Sequence, residues 1–409
     1  MSKTSFALRT LSASLMLLSP LVHAGHAPAG PDALTMAVFG DLPYGTSPSD
    51  TTEFLDMPAY IASVNADVDV SAALHLGDIH SGKQYCTEAY DRSVFELFST
   101  FRVPMVYTPG DNEWTDCHKS KEGGGSYDAA SDTIHFVTGS DGQPVDYASG
   151  HPVRNLELVR SIFFAQPGHT LGQDMRVDSQ AMAGRDRAYA DHDDDGHAPR
   201  TPSDAKFVEN VMWERSGVLF VTVNIPGGSN NDTDPWYGTP TMSNEQAQEV
   251  AERTGAGLHW LDAAFARARA HHDKAVLIGV QADMWDLDGK VASHIGNYRP
   301  FVDRIATLTK AFGKPVLLMN GDSHGYRSDN PLQVGAACTS ESGASTVACA
   351  DDAYASQPHG YDVPNFHRVV VHGSTLPLEW LKLSIDPSVN APASANAFGP
   401  FSWTRMVQP

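Results

Sequence analysis

Short apolar runs alternate with amphipathic stretches along most of this chain, and the runs are rich in β-branched and aromatic residues. Ala29 to Gly40 predicts a strand, Thr51 to Asn65 a helix, and "SAALHLGD" a second strand ending at Asp78. Thr87 to Phe101 puts Val94, Leu97, Phe98 and Phe101 on one helical face and leads into "VPMVYTPGD", a third strand ending at Asp111. This βαβαβ rhythm favours parallel strands with covering helices, so the chain reads as α/β.

From about His118 to Pro152 the composition turns to Gly, Ser and Asp, which predicts a long surface excursion. "RNLELVRSIFF" is a short amphipathic helix, residues 172 to 206 are polar and punctuated by Gly and Pro, and "VMWERSGVLFVTVNIPGG" predicts a hairpin. Asn244 to His272 is helical with an interruption near Gly255 and Gly257; "AVLIGVQADMW" is a buried strand; Val302 to Phe312 is the helix before "PVLLMNGDSH". "FHRVVVHG" and "LEWLKLSI" read as a closing antiparallel pair. With 409 residues, 41% of them hydrophobic, the chain can bury a large core. The pattern predicts one domain, residues 25–409, with long loops and no internal repeat.

Four of the apolar runs end in Gly-Asp: "LTMAVFGD" at Asp41, then Asp78, Asp111, and "PVLLMNGDSH" at Asp322. Any single Gly-Asp after a strand reads as a turn or helix N-cap. Four carboxylates gathered at strand ends repel one another and are costly to desolvate unless a cation neutralises them. The repetition therefore points to a metal centre.

Charge narrows the partners. The chain carries 28 Lys and Arg against 49 Asp and Glu, a formal net charge of −21, with no Lys/Arg run. That balance excludes the basic patches that neutralise a nucleic-acid backbone. Met1 to Ala24, with Lys3, Arg9 and the apolar "LSASLMLLSPLV", has the layout of a cleavable secretory signal, and predicts export to a periplasm or the medium. The stretch is short for a membrane anchor, and no later segment approaches twenty apolar residues, so no membrane span is expected after signal removal. The four cysteines suit an exported protein; Cys86 with Cys117 and Cys338 with Cys349 is the pairing expected among three arrangements, and no CxxC spacing suggests a zinc knuckle.

The segments "FGDLPYG", "LGDIHSG", "PGDNEW", "GVQADMW" and "NGDSHGY" follow the order of the motifs of the calcineurin-like metallophosphoesterase superfamily, which includes the purple acid phosphatases. Over about Leu34 to Tyr326 the chain resembles a divergent, exported member of bacterial type. The resemblance implies a two-sheet β-sandwich flanked by helices, with the metal site at the C-terminal ends of the strands. It also implies hydrolysis of small phosphate mono- or diesters by a metal-bound hydroxide at two ions bridged by one carboxylate. Carried over, Asp41 and His324 bind the first metal and Asp78 bridges. The Asn ligand of the third motif falls on Asp111, the His of the fourth on or beside Gln281, and the first His of the fifth on Asp322. Asp283, two residues past Gln281, competes for the same role.

Three ligand positions thus carry oxygen where the family carries nitrogen or amide. That set favours Mn or Mg, admits Fe or Ca, and disfavours Zn. The family's catalytic His of the third motif is here Asn112, which donates a hydrogen bond but no proton. His80 is then the nearest candidate acid, with metal ligation or a plain surface position as its other readings. Tyr44 either reaches the metals and substrate or packs. Asn224, with Asn230 and Asn231 in "NIPGGSNNDTDPW", either lines the substrate opening or belongs to a simple loop. "DHDDDGHAP" at Asp191 to Pro199 lacks the closing Glu of a Ca²⁺ loop and reads as solvated acid; His294 and Arg299 read as helix-flanking positions. The alternative function is a catalytically degenerate metal-binding protein of the same fold.

Overall fold

The structure, a computed structural model, describes residues 32–44, 52–185, 202–231, 234–286, 295–333, 337–339, 346–348, 361–374 and 378–407. The predicted signal segment, the acidic stretch 191–199, His294 and Cys349 lie outside the described residues.

The first sheet is built on three parallel strands, β1 (Leu34–Phe39), β2 (Val70–His75) and β3 (Pro104–Tyr107). Two helices connect them, α1 (Thr52–Ala66) and α2 (Glu88–Phe98), the second capped by the Thr87 hydroxyl accepting from Tyr90 N–H. Further along come a small hairpin, β4 (Gly125–Asp128) with β5 (Thr133–Phe136), helix α3 (Pro152–Phe163), and the short β6 (Leu171–Gly172), which edges β3.

The second sheet begins with β7 (Asp178–Ser179), β8 (Val211–Arg215) and β9 (Val218–Thr222). The predicted hairpin β8–β9 turns through Ser216 and Gly217, both at positive φ, as a two-residue primed turn requires. Helix α4 (Asn244–Ala270) leads to β10 (Ala275–Gly279), and α5 (Arg299–Phe312) to β11 (Val316–Asn320). β12 (Arg327–Asp329), the small pair β13 (Ala337–Thr339) and β14 (Thr346–Ala348), and β15 (Phe366–Val370) follow. β16 (Glu379–Ile385), β17 (Ala397–Phe398) and β18 (Phe401–Val407) return to the first sheet, whose order is β17-β18-β16-β1-β2-β3-β6. The second runs β12-β15-β11-β10-β9-β8-β7, with β9, β10, β11 and β15 parallel.

Strand periodicity sets the layers. Met36, Val38 and Leu74 from the first sheet share one core with Phe220, Leu277, Leu317 and Met319 from the second. The alternate residues point outward: Ala37, Phe39 and Ala73 pack with Ile61, Val94, Phe98 and Val159 of α1, α2 and α3, while Leu219, Ile278 and Leu318 pack with Trp260, Leu261 and Ile305 of α4 and α5. The result is the αββα sandwich implied by the resemblance.

Three expectations need correction. "FHRVVVHG" and "LEWLKLSI" do not pair: β15 lies parallel to β11 in one sheet and β16 antiparallel to β1 in the other, each largely buried and in an interior place of its own sheet. Helix α4 runs unbroken through Gly255 and Gly257; at Gly257 a Cβ would stand 3.0 Å from both Phe301 and Val223, so the residue permits close helix-to-sheet contact instead of ending the helix. The stretch after His118 is only partly superficial. Glu122 and residues 123–125 are buried, tied in by the Cys86–Cys117 disulfide.

Candidate metal centre

Asp41, Asp78 and Asp111 follow β1, β2 and β3, while Gln281 and Asp322 follow β10 and β11, so C-terminal strand ends of both sheets face one cleft. Asp41, Asp78, Asp322 and His324 all have left-handed backbones, with φ of 54°, 60°, 74° and 55°. Non-glycine residues adopt that region only at a cost, and such strain is concentrated at functional sites.

The preceding glycines do something other than turn the chain. A Cβ on Gly110 would lie 2.0 Å from Asp78 Oδ1; one on Gly321, 2.6 Å from Asp41 Oδ2; one on Gly77, 2.6 Å from the Gln281 side chain. Each glycine leaves room for a polar side chain of a neighbouring loop. Gly227, in the loop after β9, belongs to the same cage, since a Cβ there would meet Asp322 Oδ1 at 2.8 Å and the Asp111 carboxylate at 2.9 Å. From Gly228 through Asn231 four consecutive residues have positive φ, forming a left-handed turn. It is held by Arg253, which donates to the backbone oxygen of Asn230 at 2.9 Å, and by Tyr298, whose hydroxyl donates to Pro226 O and accepts from Ser229 N–H.

Hydrogen bonds converge on Asp78. Its Oδ2 accepts from Tyr44 Oη (2.7 Å), Asn112 Nδ2 (3.1 Å) and Gln281 Nε2 (3.1 Å), and its Oδ1 accepts from Asn112 N–H (3.2 Å). Gln281 Nε2 also donates to Asp111 Oδ1 (2.8 Å), and its Oε1 accepts from Gly227 N–H. Asp41 Oδ1 accepts from Asp322 N–H (2.9 Å) and lies 3.6 Å from His324 Nε2, but its buried Oδ2 has no hydrogen-bond partner. The His324 ring meets Tyr44 edge-on. Below the cage His75 donates from Nε2 to Leu42 O (2.8 Å) and accepts Gly77 N–H on Nδ1 (3.1 Å), tying the loops that carry Asp41 and Asp78.

Burial, reinforced by the charges of Asp111 and Glu113, holds the carboxyls of Asp41 and Asp78 well above the usual carboxylate range. Burial and the Asp78 charge likewise keep Tyr44 protonated. A desolvated, mutually repelling oxygen set with an orphaned carboxylate oxygen fits a hard divalent cation. The carboxylates are not drawn together as tightly as a coordination shell: among the described residues, the trio of ligand atoms lying within 4.8 Å of one another is His80, Cys86 and Cys117. Gln281 Nε2 stands between Asp78 and Asp111 and relieves their repulsion.

Several sequence expectations meet a different environment. His80 is fully buried, with one ring nitrogen 3.4 Å from Ser81 O and its ring edge-on to Tyr90; burial lowers its pKa to about 4. The ring is thus interior and not at the surface, and its burial favours the neutral form. Asn224 does not line an opening: it is fully buried, donating from Nδ2 to Glu209 (2.9 Å) and from its N–H to Asn210 (2.7 Å). Between the two competing residues of the fourth motif, Gln281 joins the carboxylates and Asp283 does not. Asp283 is paired with the buried guanidiniums of Arg327 and Arg368 and touches the centre through its N–H, which donates to Asp322 Oδ2 (3.0 Å). Asn112 and Tyr44 sit together on Asp78, linked by an amide-to-hydroxyl bond of 2.9 Å.

Glu113 escaped the sequence reading, as did the left-handed backbone of the turn after β9, whose Asn230 and Asn231 were read only as an opening or a simple loop. Glu113 Oε1 accepts from Tyr107 Oη (2.5 Å) and Gly110 N–H (2.7 Å), pinning the loop that carries Asp111. Its place directly after Asn112 in "GDNEW" was the available signal, as was the Gly-Gly pair after a strand in "NIPGG".

No family model and no curated protein matches this chain. Among solved structures, it is similar to the purple acid phosphatase PPD1 isolated from yellow lupin (Lupinus luteus) seeds, at 12% identity and a TM-score of 0.38, over 93% of this chain and 55% of that one. The chain thus spans about half the length of that protein, and a likeness this remote carries no argument about the site.

Proposed function

We propose that the chain is an exported metal-dependent hydrolase of phosphoric esters. The observation that carries this reading is the cage of buried oxygen donors contributed by strand ends of both sheets, with Asp41 Oδ2 left without a protein partner. Asp41, Asp78, Asp111, Gln281, Asp322 and His324 would hold two divalent ions, Mn or Mg by the hardness of the donors, and such ions supply Lewis-acid activation of water and of a phosphoryl oxygen. Around them, the Asn112 amide and the protonated Tyr44 hydroxyl, which here donate to Asp78 Oδ2, would be the neutral donors available to a phosphoryl oxygen once Asp78 is engaged by metal. The left-handed turn at Gly228 to Asn231 closes one wall of the cleft. With His80 buried and Asn112 at the position of the family's histidine, leaving groups of low pKa, such as aryl esters, diesters and pyrophosphates, are the preferred substrates.

The test is hydrolysis of a panel of chromogenic phosphomonoesters and diesters by metal-free protein reconstituted with Mn²⁺, Mg²⁺ or Zn²⁺. Turnover with Mn²⁺ or Mg²⁺, abolished in a folded Asp78→Asn variant, is the expected result; full activity of that variant, or activity with Zn²⁺ alone, contradicts it. The wide spacing of the carboxylates favours one second reading, a non-catalytic metal-binding protein of the same fold. Tight Mn²⁺ binding without turnover of any ester would select it.

A further inference from the structure

We propose that Cys86, Cys117 and His80 form a separate, redox-gated metal site, which takes a zinc ion once the disulfide is reduced. Ligand atoms of the three residues lie within 4.8 Å of one another, and all three side chains are buried. His80 Nε2 is buried with no hydrogen-bond partner, a position the interior disfavours for a polar atom unless something binds it. The backbone carbonyl oxygen of Asn112 stands 3.3 Å from Cys86 Sγ and 3.5 Å from Cys117 Sγ, offering a fourth donor. Two sulfurs, an imidazole nitrogen and one oxygen suit a tetrahedral borderline-soft ion, in contrast to the oxygen-rich carboxylate cage.

The chemistry balances with a dithiol as reductant. It transfers two electrons and two protons to the Cys86–Cys117 bond, which breaks into two thiols while the reductant closes its own disulfide. Zinc then releases the two thiol protons to solvent and accepts a lone pair from the neutral His80 ring. On tetrahedral zinc with Zn–S of about 2.3 Å the two thiolates stand about 3.7 Å apart, within reach of side-chain rotation from Cα atoms 5.8 Å apart. In the oxidised chain both sulfurs are occupied by each other and the site is closed. The proposal is independent of ester hydrolysis.

The experiment uses the full chain, reduced with a dithiol that is then removed under anaerobic conditions, and titrated with Co²⁺ as a spectroscopic substitute for zinc. Sulfur-to-cobalt charge-transfer absorption saturating at one equivalent, reversed by Zn²⁺ and missing from the oxidised chain, is expected. Carboxylates cannot produce that band, so the result does not depend on the other centre. In the reduced state His80→Ala should weaken Zn²⁺ binding by at least about tenfold, and Cys86→Ser should abolish the band. Absence of the band, undiminished affinity in His80→Ala, or loss of near-ultraviolet circular dichroism on reduction would each overturn the proposal.

Discussion

His75 offers the sharpest test of how the centre is held. The residue is fully buried, donates to Leu42 O and accepts from Gly77 N–H, and burial lowers its pKa from 6.5 to about 4. The unfolded chain therefore takes up a proton on this side chain before the folded one does. Its neutral form gives full stability above pH 6.5; stability falls as pH drops towards 4, with no further loss below. A difference of about 2.5 pH units at about 1.36 kcal/mol each amounts to roughly 3 kcal/mol. Asp41 and Asp78, whose pKa values are raised, act in the opposite sense, so only a comparison isolates His75. The variant His75→Gln keeps a donor and an acceptor but does not titrate. Urea unfolding of both proteins at pH 7, 5.5 and 4.5 should show the parent losing about 2.4 kcal/mol more than the variant across this range, most of the full difference. Parallel pH profiles would refute the reasoning.

Gly110→Ala should eliminate divalent-ion binding measured by calorimetry, because the new Cβ would overlap Asp78 Oδ1 and approach its backbone nitrogen to 2.4 Å; retained affinity would show that the loop can yield. Arg368→Met removes a guanidinium that bonds Asp329 twice at 2.8 Å and Asp283 at 2.6 Å, and should cost about 3–5 kcal/mol in urea unfolding at neutral pH. Asp283 is held below the usual carboxylate range because Arg368 and Arg327 outweigh its burial, so its contribution is present at neutral pH and the deficit of the variant should narrow as pH falls below about 4. Mn²⁺ at about a hundred times its dissociation constant should stabilise the parent by about 2.7 kcal/mol, reversed by a chelator and absent in Asp78→Asn.

The strands were legible because parallel strands covered on both faces are continuous apolar runs, and the four Gly-Asp endings located the cage. Which residues of a strand end face inward was harder to read. Gln281 and Asp283 differ by two positions, and two buried arginines from β12 and β15 decide between them, a long-range pairing with no local signature. His80 resembled a catalytic acid by proximity in sequence to Asp78, but the disulfide from Cys117 folds a later segment over it. Asn224 was misplaced because Glu209 and Asn210, fifteen and fourteen positions earlier, draw it inward by hydrogen bonds that the local Asn-rich pattern does not reveal. The pairing of β16 with β1 joins residues more than three hundred positions apart, which local periodicity does not encode.

The two sheets contribute different halves of the carboxylate cage: Asp41, Asp78 and Asp111 ride on one, Gln281 and Asp322 on the other. Neither sheet alone therefore carries a complete centre, and bringing them together crowds like charges at one end of the sandwich. Hydrogen bonds from Gln281 and Asp322 already join the layers at this end, and a cation shared across it would act as a further clasp. Hydrogen exchange and proteolytic nicking at the loops after β3 and β11 should then respond to divalent-ion concentration, while the strand ends on the opposite side of the sandwich stay indifferent.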